Sequence, residues 1–285
     1  MRKSITMALQ SDAWPLPPFA AASVGRRQAR LSAVVKCPRK MEYLKFLKEL
    51  HDKFIDLSKT IIFDKKHPRQ LFMVALYGTI LELCGGFITL VNEKFYSSVP
   101  SIFRSIVEAH VELKNLYSEA EYGYFMEASR NDQWIKVLKE AKKGNNPYLA
   151  EIQKWEQLDT EIENHKCALK DLKNKGYKPL KVFQRFKKAD MEKEYRSLYN
   201  FLSCDAHSNI RALISRHIDI KNGDFEVVFY KDEPLEHHLS YLDTTAGIMV
   251  DSSGMMHELF KTGQDGIVKK YRESLSELRK RVLST

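Results

Sequence analysis

The sequence predicts an all-α protein: a multi-helix bundle with one long charged helical arm and a single small β-hairpin. Three observations predict it. From Met41 onward, apolar residues recur at steps of three and four, which places them on one face of successive helices. The 285 residues include only 12 Gly and 9 Pro, too few for an all-β chain full of tight turns. Alternation with a period of two is confined to one stretch near residues 217–230.

Residues 1–40 stand apart. They hold four of the prolines, eight Lys or Arg and one acid, Asp12, and they have no sustained amphipathic period. Gln10, Asp12 and three prolines occupy the place where a secretory signal would need an apolar run. The segment reads as a disordered basic extension, or as a start placed too early with Met41 the true one. Its Arg-rich, acid-poor composition also fits an organelle transit peptide. Residues 41–285 form a single helical domain.

In that domain Leu44, Leu47, Leu50, Phe54, Leu57 and Ile61 mark a first apolar stripe. Pro68 opens a second helix, running to about Lys94 and apolar nearly all round, which makes it the central one. Pro100 opens a third helix to about Tyr117, and a fourth runs to about Lys142, stopped by Gly-Asn-Asn-Pro. Residues 148–175 read as the charged arm, with Trp155, Leu158, Ile162, His165, Leu169 and Leu172 spaced as a short coiled-coil seam. His165 is expected to be a partly exposed seam residue. Helices follow from about Asp190 to Cys204 and on to about Arg216. Asn222-Gly223 then supplies the turn of a hairpin. Helices over about Leu235–Lys261 and Gly263–Val282 complete the chain.

Composition excludes several function classes. The net charge of +9 points toward nucleic acid, but residues 1–40 carry +7 of it, leaving the folded part near neutral. No stretch approaches the ~20 apolar residues of a membrane span, and Ala75 to Val91 reads as a buried core helix. The four cysteines, Cys37, Cys84, Cys167 and Cys204, have neither zinc nor disulfide spacing, which fits reduced thiols in the cytoplasm. There is no P-loop, dinucleotide turn, Gly-x-Ser-x-Gly or Glu-x-x-His pattern, so neither cofactor nor metal is expected. Gly85-Gly86 in mid-helix fits close helix packing.

The candidate chemistry lies where ionisable groups interrupt apolar helices. Glu82 sits in Ile-Leu-Glu-Leu-Cys. Arg104 and Glu108 are four residues apart, on one helix face, and able to pair. His207 sits near a helix junction. Buried charge is costly unless paired, so these groups should converge on each other or on a pocket. Either Arg104, Glu108 and His207 form a catalytic site with Glu82 orienting a partner, or the set is a salt-bridge network that fixes helix packing.

Three motifs carry a family resemblance: Leu76-Tyr77-Gly78-x-x-Leu81-Glu82, Pro100 to Ala109, and Tyr199-x-x-Leu202-Ser203-x-x-x-His207-Ser208. Together they resemble the bacterial domain-of-unknown-function family numbered 5677 over roughly residues 41–283. A more distant resemblance is to HEPN helical domains, many of which are metal-independent ribonucleases in phage defence. Their Arg-to-His spacing recurs at Arg104–His110 and Arg211–His217, although Ala212 replaces the usual polar residue after the second Arg. A pairing of His207 with Arg104 across helices is the favoured arrangement.

On RNA, His207 would act as general base or acid, Arg104 would stabilise the phosphorane charge, and Glu108 would orient one of them. Glu82, Tyr199, Ser203, Asn209 and Arg211 make up the binding set. The alternative is a non-enzymatic interaction or ligand-sensing module. Its charged arm would pair with a second copy or with a partner protein.

Overall fold

The structure, a computed structural model, describes residues 38–206, 209–221, 224–231, 233 and 235–283. Residues 1–37 of the basic extension, His207 and the Asn222-Gly223 turn therefore lie outside the described residues, while residues 38–40 begin the first helix. What is described is an all-α bundle with one two-stranded antiparallel hairpin.

Helix α1 (Pro38–Ser58) buries the expected stripe of Leu44, Leu47, Leu50, Phe54 and Leu57. Helix α2 (Pro68–Asn92) and helix α3 (Val99–Ser118) both carry proline in the first turn, where a missing N–H leaves no intrahelical bond unmade. Arg69 of α2 donates to the carbonyls of Leu116 and Tyr117, satisfying orphan acceptors at the end of α3. Helix α4 (Tyr122–Lys142) stops before Gly144, whose φ of 76° favours glycine.

Among the described residues, α2 is long and apolar enough by length and composition to cross a membrane, which corrects the expectation that no stretch comes close. In the bundle, Met73, Tyr77, Ile80, Leu81, Cys84, Phe87, Ile88 and Val91 are buried against neighbouring helices. Close approach is built into this helix. A Cβ on Gly86 would meet Ile102 Cδ1 of α3 at 2.9 Å, and one on Gly85 would meet the His51 imidazole of α1 at 3.1 Å. Gly86→Val should therefore push α2 off α3 and destabilise the protein by about 1–3 kcal/mol. Urea denaturation would measure this, and an unchanged midpoint would refute the packing role.

The arm differs from its expected form. Residues 148–175 do not make one helix. A 3-10 turn (Pro147–Leu149), a short helix α5 (Ala150–Gln153) and a tight turn through Trp155 precede helix α6 (Leu158–Asn174). The break lets α6 fold back antiparallel on α4. Leu158 and Ile162 close a small separate core with Leu138, while His165 Nδ1 donates to Asn131 Oδ1 at 2.7 Å and stacks on Trp134. The seam is thus occupied within the chain, and His165 is half-buried as expected.

Helix α7 (Val182–Lys188) and the single turn α8 (Glu192–Glu194) lead into a π-helical turn, Tyr195–Tyr199, and then helix α9 (Asn200–Ala206). The expected helix from about Asp190 to Cys204 is therefore present, with a π-helical turn inside it. Helix α10 (Ile210–His217) runs into strands β1 (Ile218–Lys221) and β2 (Asp224–Val227). Their register pairs Ile218 with Val227 and Ile220 with Phe225, matching the alternation in the sequence. Helix α11 (Leu239–Leu259) packs against α1, α2, α3 and helix α12 (Asp265–Leu283), and closes the main core.

Candidate functional site

Arg104 and Glu108 project from the face of α3 that α9 covers, one helical turn apart. Arg104 Nε donates to Glu108 Oε1 at 2.8 Å. Tyr199 joins them from the π-turn. Its hydroxyl accepts from Arg104 Nη2 at 2.6 Å and donates to Glu108 Oε1 at 2.9 Å. The guanidinium carbon also lies 4.8 Å from the Tyr199 ring centroid. The wide i→i+5 turn brings Tyr195 and Tyr199 into a stack at 5.3 Å, which holds the Tyr199 ring against Phe186 and aims its hydroxyl at α3.

The trio is buried on one side only. Tyr199 is 5% exposed, whereas the Arg104 and Glu108 side chains retain 21% and 36%. Burial and then the Glu108 carboxylate raise the Tyr199 hydroxyl above the ordinary phenol range. Burial works against the Arg104 charge, but the bonds and charges of Glu108 and Tyr199 outweigh it and hold the guanidinium above its ordinary range.

One turn further along α3 the pattern repeats. Glu112 accepts from Arg185 Nη1 of α7 at 2.8 Å and from the Tyr122 hydroxyl at 2.8 Å. Asn115 Nδ2 donates to the Arg185 carbonyl. Thus α3 carries a polar stripe, Arg104-Glu108-Glu112-Asn115, clamped by α7, the π-turn and Tyr122.

The model of a family of unknown function (DUF5677) matches residues 70–225, more than half of the chain. The chain belongs to this family. No curated protein and no solved structure matches it. The matched segment of this DUF5677 protein holds both the Arg104–Glu108 and the Leu202–His207 motifs. It begins later and ends earlier than the expected 41–283.

The other sequence candidates disperse. Glu82 is exposed on the outer side of α2 and is no buried partner, because an acid within an apolar run can occupy a helix's solvent face. Ser203 is half-buried on α9. Asn209 caps α10 by accepting the Arg211 backbone N–H at 2.9 Å, and the Arg211 side chain is exposed. His207 lies outside the described residues.

Neither Arg-to-His spacing makes a pair. Six residues turn two helical side chains ~120° apart. Arg104 accordingly faces Tyr199, while His110 is buried against α11, with Nδ1 2.9 Å from Ser252 Oγ and Nε2 3.6 Å from Asp251 Oδ2. Likewise Arg211 starts α10, whereas His217 ends it and contacts the Val228 carbonyl.

Sequence reasoning missed a polar cavity of about 170 Å³. It forms where the start of α3, the end of α10, the segment after β2 and the start of α11 meet. Lys94, Tyr96, His217, Lys231, Glu233 and His238 are among its walls. His237-His238 was visible as a pair, but nothing local ties it to residues some 140 positions earlier. Among the described residues, no three His, Cys, Asp or Glu side chains are placed to hold a metal ion.

Proposed function

We propose that this DUF5677 protein is a non-enzymatic ligand-sensing or interaction module in which the Arg104–Glu108–Tyr199 cluster is structural. The observation that carries this reading is the mutual hydrogen bonding of the trio, in which Arg104 Nε and Nη2 are engaged by Glu108 and Tyr199. Each member is bonded to the other two. An arginine poised to meet a developing phosphorane would instead aim its donors at the place of the substrate. The Cys84 and Cys167 thiols are free, which accords with a reducing compartment such as the cytoplasm. With the arm seam filled by α4, a partner chain or second copy would meet the arm at its tip, where Tyr148 and Trp155 are exposed.

A second reading keeps the HEPN-like ribonuclease effector of phage defence or stress response, with RNA as substrate. It is favoured by the open side of the trio at Glu108 and by the run Tyr199–Ser203, which leads along α9 toward His207. In that case His207 exchanges the proton of the ribose hydroxyl and Arg104 steadies the phosphate charge.

Expression in growing bacteria separates the two. On the module reading, wild type and His207→Ala leave growth and cellular RNA equally intact, and Tyr199→Phe lowers the melting temperature. Growth arrest with RNA cleavage by the wild type, lost in His207→Ala, would overturn it in favour of the nuclease.

A further inference from the structure

His238 is 5% exposed, and among the described residues its Nδ1 has no hydrogen-bond partner. An orphaned buried imidazole nitrogen is costly, and a group that pairs with it recovers that cost. The ring is held in place. It stacks on Tyr96 at 4.3 Å with only 14° between planes, and its Nε2 lies 3.4 Å from Glu233 Oε2. That separation is a close polar approach more than a well-shaped hydrogen bond, because the Nε2 geometry also leaves it without a bonded partner. His238 lines the cavity near the beginning of α11.

Among the described lining residues the charge is mostly positive. Lys94, Arg216 and Lys231 line the same space. Lys231 Nζ is steadied by the carbonyls of Ser215 and Ile218 at 3.4 and 3.3 Å, with Asp219 at 3.9 Å. The one carboxylate among the described lining residues is Glu233, and it is already engaged by His238 and, at 4.0 Å, by His237 Nδ1. Ser97 and Pro100 at the start of α3, with His238 and Tyr241 at the start of α11, bring the first turns of two long helices to the cavity, and helix starts favour negative charge. The end of α10 opposes this effect, but its last turn carries Arg216 and His217.

Size narrows the ligand. Drug-sized ligands occupy pockets of roughly 300 Å³ and more, and at ~30 Å³ per water the space holds only a few. It suits a single tetrahedral anion or the end group of a larger molecule.

From the orphaned His238, the basic walls and the small volume, we infer that this cavity is an anion site that takes phosphate or the phosphate end of a small phosphomonoester. The inference rests on the ligand-sensing reading and names the site and ligand class for it. The ligand would accept from His238 Nδ1–H and from Lys231, and would join α3, α10, the segment after the hairpin and α11.

Inorganic phosphate titrated into the full chain is the test, by calorimetry and by the ring-nitrogen resonances of His238, with sulfate and methyl phosphate in parallel. Saturable binding that moves the Nδ1 resonance is expected. Lys231→Gln should weaken it at least tenfold. Lys94→Asn, which suits the left-handed backbone there (φ 61°), should weaken it several-fold with an unchanged melting temperature. Binding of methyl phosphate as tight as that of phosphate would assign the end-group form, and loss on methylation the free ion. Absence of saturable binding, an unmoved His238 resonance, or full retention of affinity in both variants would overturn the site. RNA cleavage dependent on His207 would instead overturn the module reading and leave the phosphate result standing.

Discussion

Glu112→Ala will destabilise the fold by about 2–4 kcal/mol, the largest loss expected from any single change in the polar stripe of α3. The Glu112 side chain is only 14% exposed, and it holds both the Arg185 guanidinium and the Tyr122 hydroxyl. Arg185 Nε is already buried without a partner among the described residues, so this guanidinium has little else to turn to. Burial and then the Glu112 charge push the Tyr122 hydroxyl far above the phenol range. Removing the carboxylate strands two donors where water reaches poorly. Arg185→Met should cost less, and the double variant should recover at least ~1 kcal/mol relative to the sum, the sign of direct coupling. Equilibrium urea denaturation reads all three, and strict additivity would show that the groups do not act as a pair.

Acidification will destabilise the protein through His110. Burial pushes its imidazole down to about 4, with Asp251 opposing and Lys114 adding to the shift. The unfolded chain returns it to the ordinary ~6.5. Between those values the unfolded state binds more protons than the folded one, so stability rises with pH across the window. The contribution is complete above about pH 6.5 and is lost as pH falls toward 4. By pH 5 the loss amounts to about 2 kcal/mol. His257, depressed by burial, pulls in the same direction. Denaturation midpoints between pH 8 and pH 5 should fall in the wild type and fall less steeply in His110→Gln. Parallel slopes in the two proteins would sink the assignment.

Both results bear on how the polar groups of α3 divide. Arg104, Glu108 and Glu112 face α7 and the π-turn, while His110 faces Ser252 on α11. The two sets lie on different sides of one helix. The cavity with His238 is separate from both, and this makes the phosphate titration independent of the stability measurements.

Much of this was legible in the chain. Steps of three and four placed Leu44 to Leu57 on one face, prolines marked the starts of α2 and α3, and the alternation of Ile218, Ile220, Phe225 and Val227 set the hairpin register. Arg104 with Glu108 was legible too, because two residues four apart on a helix are neighbours whatever else the fold does. Glu82 was misjudged for a related reason: periodicity shows that a helix has faces, but a nearly all-apolar helix does not say which face is left to solvent.

What the sequence determined by itself is therefore local: most of the helices, their proline-marked starts, the hairpin pairing and the Arg104–Glu108 contact, all set within about one helical turn or one strand pair. Only the tertiary structure decided that Tyr199 completes that contact from 91 residues beyond Glu108, that the arm folds back on α4, and that His238 stacks on Tyr96 beside Lys231. These depend on where a π-turn rotates a side chain and on how separate helices come together. Such relations arise from packing between distant segments, and no spacing along the chain encodes them.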